Sequence, residues 1–197
     1  EINFRDLLTH TSGLTYGFME SNPVDAAYRA KEGGVDFQTA DTSLKQLVER
    51  LAQLPLIAQP GKAWNYSVST DVLGYLVEVI SGQPFEKYLK EKVIDPLRMV
   101  DTDFHVPADK HERFAANYSA GAGGKLDLID DPGKSRYLAP RKVNSGGGGL
   151  VSTASDYLRF CRFMLNKGEL DGIRLLGRKT VELMTMNHLK GDMADMG

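Results

Sequence analysis

Pro60 to Gly82, PGKAWNYSVSTDVLGYLVEVISG, constrains this chain more than any other stretch, because it sets a turn, an aromatic cluster and a helix in immediate succession. Pro60-Gly61 is turn chemistry, since proline presets φ and glycine accepts positive φ. Ser69 or Thr70 is expected to cap the helix, a short hydroxyl accepting from the free amides of its first turn. Val72, Leu73, Leu76, Val77 and Ile80 recur at helical spacing and define one apolar face, and Ser81-Gly82 closes the element. Tyr66 therefore stands just upstream of a packed helix, where local structure is able to hold a phenol facing a cleft.

Other elements follow from the same rules. Phe4 to His10 reads as a short helix with Leu7 and Leu8 packed, ending in a turn at Thr11-Ser12-Gly13. Between Tyr16 and Gln38, Asn22-Pro23 and Gly33-Gly34 break any long element. Thr39 to Leu54 predicts a helix capped by Asp41 or Thr42, with Leu44, Leu47, Val48, Leu51 and Leu54 on one face and Pro55 as its stop. Thr42 to Lys45 spells Thr-x-x-Lys, but the amphipathic helix accounts for those residues.

Pro84 suits the first position of a further helix with Phe85, Tyr88 and Leu89 inward. Asp95-Pro96 forces an exit, because the residue before proline is pushed out of the α region. Thr102–Val106 and Arg113–Ser119 read as extended, and Leu126–Arg141 as irregular surface chain. Ser152 or Thr153 caps a helix whose inward residues are expected at Tyr157, Phe160, Cys161, Met164 and Leu165, with Cys161 a buried small apolar residue. Arg178 to Met186 is a final helix with Val181, Leu183 and Met184.

Composition narrows the function classes. With 42% apolar and 25% charged residues, the 197-residue chain can carry one core-bearing domain. A net charge of -2 exerts no long-range pull on nucleic acid or anionic membrane, so small molecules are the expected partners. One cysteine forms no intrachain disulfide, and no apolar run is long enough to span a bilayer. His105 and His111 have no Cys, Asp or second His at ligand spacing and read as surface histidines; no metal or other cofactor is expected. His10 has no acid or hydroxyl placed by sequence to partner it and reads as structural.

Gly121–Gly124 with Lys125 fails the phosphate-loop pattern, since Ser119 replaces the first glycine and no Ser or Thr follows the lysine. The four glycines Gly146–Gly149 are different, because a firmly capped helix follows them. They read as tight backbone beside a site, with Gly147 and Gly148 as substrate-binding positions.

PGKAWNYSVSTDVLGYLVEVISGQPFEKYL, together with LLTHTSGL (Leu7 to Leu14) and SGGGGLVSTASDYLRF (Ser145 to Phe160), resembles the serine β-lactamase-related hydrolases. That group holds class C β-lactamases, DD-peptidases and family VIII carboxylesterases. Tyr66-Ser67-Val68 matches its Tyr-x-Asn motif, with Val68 standing where the β-lactamases and peptidases have asparagine. The resemblance implies an α+β, β-lactamase/transpeptidase-like fold, residues 1–197 being a partial domain that is mainly the helical subdomain. It implies that HTSGL is a loop beside the active site and that the Tyr16–Gln38 region borders the substrate cleft.

In the resembled family a Ser-x-x-Lys helix start supplies the nucleophile, and the Tyr of the second motif shares proton transfer with the lysine. Neither Ser-x-x-Lys nor Gly-x-Ser-x-Gly occurs here, and Lys179-Thr180-Val181 is not the family's Lys-Thr-Gly. The expectation is an internal fragment that begins at Glu1 partway through a domain, lacks the nucleophile segment and the C-terminal strand motif, and is inactive alone. Tyr66 is the expected catalytic residue, a phenol with an ordinary pKa near 10 that acts as a base only beside a positive charge. Val68 is the expected determinant of substrate choice, because valine cannot hydrogen-bond an amide carbonyl as asparagine does.

Such a lost contact costs about 1–3 kcal/mol in a buried site, which favours an ester substrate over a lactam. The alternatives are β-lactamase or DD-peptidase activity, or a non-catalytic penicillin-binding-like scaffold. Oligomeric state is not legible, and the resemblance leaves cytoplasm and periplasm both open.

Overall fold

The structure is a computed structural model in which residues 1–19, 22–37 and 42–191 are described. Its centre is the helix that the periodicity demands, α4 (Ser69–Ser81). Gly82 ends it in the left-handed region at φ 69°, which glycine adopts without a Cβ penalty. Three further helices surround α4: α1 (Phe4–Leu8), α3 (Leu44–Leu51) and α5 (Phe85–Leu89) each pack against it. A first core, including Leu7, Leu14, Leu47, Leu51 and Val68, fills the space between them. A second core, Ile94, Leu97, Met99, Phe163 and Leu170, lies under α6 (Ala154–Leu165). Among the described residues no helix is long and apolar enough to cross a membrane.

Several local expectations are corrected. Val68, not Ser69 or Thr70, holds the N-cap position of α4, and no side chain caps it. The Ser69 hydroxyl is engaged elsewhere, 2.7 Å from Ser12 Oγ and 2.8 Å from Ser67 Oγ. Ile80 is exposed, so the packed face of α4 ends a turn early. Ser43 caps α3 in a reciprocal pairing with Gln46. Of the expected caps, Thr42 lies outside the helix, and Asp41 falls outside the described residues. A short helix, α2 (Pro23–Tyr28), forms where only breakers were read, because Asn22 accepts from the Asp25 amide at 2.8 Å and Pro23 fits the first helical position.

Pro84 takes the cap position of α5 rather than its first residue. Asp95 stays helical at φ -65°, ψ -46°, although proline follows. Its amide bonds to the Lys90 carbonyl at 2.9 Å and its carboxylate to Lys90 Nζ at 2.7 Å, so the exit falls at Arg98, where φ is 53°.

Leu126–Asp130 is a strand, β2, paired antiparallel with β1 (Asn117–Ala120). Its side chains are exposed on both faces, so it carries no alternation to betray it. A second hairpin, β3 (Glu169–Leu170) and β4 (Ile173–Arg174), turns at Asp171-Gly172, the Asp-Gly pair that a tight turn favours. On α6, Thr153 caps, but Cys161, Tyr157 and Leu165 face outward; Phe163 and Asp156 are the buried residues. The buried Asp156 carboxylate accepts from the Asp101 amide at 2.7 Å and Thr102 Oγ1 at 2.9 Å, and this fixes the helix's rotation. In α7 (Arg178–Met184) Val181 is buried while Leu183 and Met184 are exposed.

The glycine run crosses the first turns of α4. A Cβ on Gly146 would lie 2.2 Å from the Thr70 carbonyl oxygen, and one on Gly74 3.2 Å from Gly146 Cα. Only backbone fits there. Gly148 has open space around it. Gly146→Ala is therefore expected to cost about 1–3 kcal/mol, the usual scale of an overpacked site, whereas Gly148→Ala stays within about 0.5 kcal/mol of the parent. Urea denaturation of the two variants side by side measures the difference, and equal midpoints would contradict the crossing.

Candidate active site

Tyr66 emerges from the segment between the Pro60-Gly61 turn and α4, with Gly61 at φ 77°. The residue is 42% exposed, and its ring lies 5.1 Å from that of His10 and 5.0 Å from that of Tyr16, centroid to centroid. Trp64 meets His10 edge-on, at 6.2 Å between ring centroids. The phenol is thus braced by aromatic rings yet open at its edge, rather than sealed among aliphatic side chains.

A chain of buried hydroxyls holds this arrangement. His10 Nδ1 is 3.3 Å from Ser67 Oγ, Ser67 is 2.8 Å from Ser69, and Ser69 is 2.7 Å from Ser12. All three serines have no exposed surface, so each hydroxyl depends on the next for the partner that water would otherwise supply. His10 sits in the left-handed region at φ 55°, and burial pushes its imidazole below the ordinary 6.5, which leaves it neutral at pH 7. The hydroxyl partner that sequence spacing did not offer His10 comes from residues 57 positions away.

Beside Tyr66 opens a cavity of about 820 Å³, bordered by Tyr16, Val68, Asp71, Ser145 and the glycines Gly147–Gly149. Tyr16 joins the two: its ring stacks on Phe18 at 5.2 Å and lies 5.0 Å from that of Tyr66. Burial above all, and then the neighbouring Asp71, pushes Tyr16 up to about 12, so this phenol keeps its proton.

Asp71, in the first turn of α4, is buried against the glycine run. Its Oδ1 accepts from Ser145 Oγ and from the Gly147 amide at 3.3 Å, while Oδ2 has no hydrogen-bond partner. A Cβ on Gly147 would meet that Oδ2 and the Tyr16 hydroxyl, each at 2.8 Å. Burial raises the Asp71 carboxyl above its ordinary 3.8, the bonds from Ser145 and Gly147 opposing the shift.

Of the four residues singled out from sequence, the structure brings Gly147 and Gly148 to the cavity wall and places Tyr66 one ring away through Tyr16. Val68 touches the same cavity but is only 3% exposed and packs in the first core. Tyr16 and Asp71 were not singled out. Asp71 carried a signal, being an acid just before the apolar run Val72-Leu73 and three residues before Gly74, where a buried carboxyl needs a partner. Tyr16 carried none beyond its place two residues after HTSGL. Among the described residues no group of three or more His, Cys, Asp or Glu side chains is set to hold a metal ion.

The family model described as Beta-lactamase matches residues 1–196. The chain belongs to the Beta-lactamase family. Within it, the chain is 41% identical over 190 residues to Protein Rv1367c of Mycobacterium tuberculosis, covering 95% of this chain and 45% of the relative. It is 36% identical over 172 residues to Esterase EstB of Burkholderia gladioli, covering 80% and 43%. Among solved structures it is similar to EstCE1, a hydrolase with promiscuous acyltransferase activity, with a TM-score of 0.75 and 27% identity, covering 92% of this chain and 49% of that one. The chain spans about half the length of the curated relatives it matches. The Beta-lactamase-family fold expected from the motifs is thus the fold observed, mixed helix and sheet.

The raised Asp71 carboxyl carries a linkage consequence. Between its ordinary 3.8 and the raised folded value, the folded protein holds a proton that the unfolded chain releases, so Asp71 lowers stability as pH climbs through that window. Asp71→Asn keeps the Oδ1 acceptor without the charge. Thermal unfolding from about pH 4 to neutrality should show the variant gaining on the parent as pH rises; a constant difference would contradict the assignment.

Proposed function

We propose that these residues form part of a serine esterase working through an acyl-serine intermediate, with Tyr66 as its proton-transfer residue. The carrying observation is the phenol itself: braced by rings, 42% exposed, and with its ring 5.0 Å from that of a second phenol that retains its proton. In the proposed reaction Tyr66, as phenolate, takes the proton of a serine hydroxyl, and the serine oxygen attacks the ester carbonyl carbon. The bond to the alcohol then breaks, and Tyr66 returns its proton to the departing alkoxide. Water repeats the sequence on the acyl-serine and releases the acid. The serine and the ammonium that sustains the phenolate are those of a Ser-x-x-Lys, a motif this chain does not contain, so the chain alone is proposed to be inactive.

Tyr16 supports the reading, because a phenol held near 12 donates to a neighbouring phenolate instead of competing with it for the proton. Val68 supports an ester over a lactam or peptide substrate: it offers no donor or acceptor at the cavity. The names of the relatives agree, one being an esterase and another a hydrolase with acyltransferase activity.

Nitrophenyl-ester turnover, measured on a polypeptide that joins these residues to a Ser-x-x-Lys segment, tests the proposal. Tyr66→Phe is expected to lower kcat about 10²–10⁴-fold while leaving the fold intact, since the ring is kept. Unchanged turnover in that variant would remove Tyr66 from the chemistry, and absence of turnover in the parent would favour the non-catalytic scaffold.

A further inference from the structure

The serine chain behind Tyr66 is closed on itself, so its hydrogens can be counted. Ser12, Ser69 and Ser67 supply three hydroxyl hydrogens, and three contacts await them: Ser12 to Ser69 at 2.7 Å, Ser69 to Ser67 at 2.8 Å, and Ser67 to His10 Nδ1 at 3.3 Å. Among the described residues these hydroxyls meet no other acceptor. None of the three serines has exposed surface, so water offers none either.

That count decides which nitrogen of His10 carries the proton. A proton on Nδ1 would claim the Ser67 contact for the imidazole and leave three hydroxyl hydrogens to share two acceptors. One buried hydroxyl would then go unbonded, at the full cost of its desolvation. With Nδ1 bare, Ser12 donates to Ser69, Ser69 to Ser67 and Ser67 to His10, and every hydrogen has a place. The lone pairs agree, since Ser12 Oγ also accepts from the Leu14 amide at 3.3 Å and Ser67 Oγ from the Ser69 amide at 3.4 Å. The bond made by one ring nitrogen thereby sets the state of the other.

The backbone pins the same histidine. His10 sits at φ 55°, and its carbonyl accepts from the Asn65 amide at 2.8 Å, while Asn65 Nδ2 donates to the Leu14 carbonyl at 2.6 Å. Asn65 and Ser67, the two sequence neighbours of Tyr66, are therefore both bonded to the loop that carries His10. Between them Tyr66 projects 42% exposed, and among the described residues the rings that meet its own are those of His10 at 5.1 Å and Tyr16 at 5.0 Å. A half-open phenol has few other walls to fix its angle.

We propose that His10 is a positioning residue for Tyr66: the serine chain fixes the imidazole as its Nε2–H tautomer, and the ring so fixed sets the angle of the phenol. The positioning role rests on the esterase reading above; the tautomer does not.

Both halves are tested on the polypeptide that joins these residues to a Ser-x-x-Lys segment. Long-range nitrogen–proton correlation NMR with labelled histidine reads the tautomer, the His10 signals being those lost in His10→Asn. The proton is expected on Nε2. Ser67→Ala should mix the two tautomers, whereas Ser12→Ala should leave Nε2–H in place, because each remaining hydroxyl still donates onward. Asparagine tolerates positive φ and offers Ser67 an acceptor oxygen, so His10→Asn removes the ring with little change in melting temperature. In nitrophenyl-ester turnover this variant should lose about 10–10²-fold in kcat, the scale of a misplaced catalytic group, with KM nearly unchanged. Ser67→Ala, which keeps the ring but frees it, should lower kcat in the same direction.

A His10 proton found on Nδ1 would overturn the tautomer. Parental kcat in both His10→Asn and Ser67→Ala, or a loss confined to KM, would overturn the positioning role while leaving the esterase reading intact. An Nε2–H tautomer in a parent that turns over no ester would uphold the hydrogen count and sink the esterase reading, the positioning role with it.

Discussion

Everything at the candidate site depends on one close crossing, the glycine run lying on the first turns of α4. Gly146 meets the helix where even a methyl group would strike the Thr70 carbonyl, and Gly74 answers from the helix side. Backbone against backbone at that distance leaves little volume for side chains to adjust, so the position of the run follows from the position of the helix. The neighbouring Asp71 then locks the crossing by accepting from Ser145 and the Gly147 amide. The price is a buried carboxyl with one oxygen unpartnered, a cost that well-packed cores rarely carry without a reason.

The same helix start organises the opposite wall. Ser67 and Ser69 flank the cap position of α4, and their hydroxyls reach back to His10 and Ser12 of the N-terminal loop. That loop in turn carries Tyr16, which stands between Tyr66 and the glycine run. Three stretches far apart in sequence thus meet at the N-terminal end of one helix. The unusual cap accompanies this: valine at the cap position has no acceptor to offer the helix amides, and Ser67 Oγ, besides its place in the hydroxyl chain, accepts among the described residues only from the Ser69 amide, at 3.4 Å.

Electrostatics divides the site into two regions. Around Tyr66 and Tyr16 stand an uncharged His10 and a phenol that keeps its proton, with the Asp71 carboxyl acting on Tyr16 from the glycine-run side. Farther along the cavity, cations outnumber carboxylates among the described residues. Buried hydroxyls and rings thus occupy one part of the hollow's surroundings, and the arginines and lysine another.

Much of this was legible in the residues themselves. The extent of α4, its glycine stop, the Thr153 cap and the Asp171-Gly172 hairpin follow from local rules, because their determinants lie within a turn or two of one another. The three ordered motifs likewise announced the family and pointed to Tyr66 and the glycine run. Rotation and partnership were decided only in three dimensions. Cys161 faces outward because Asp156 must reach Asp101 and Thr102, and no periodicity records that demand. β2 is invisible to alternation because neither of its faces is covered. His10 and Asp71 acquire their meaning from residues 57 and 74 positions away, contacts that exist only once the chain has closed on itself.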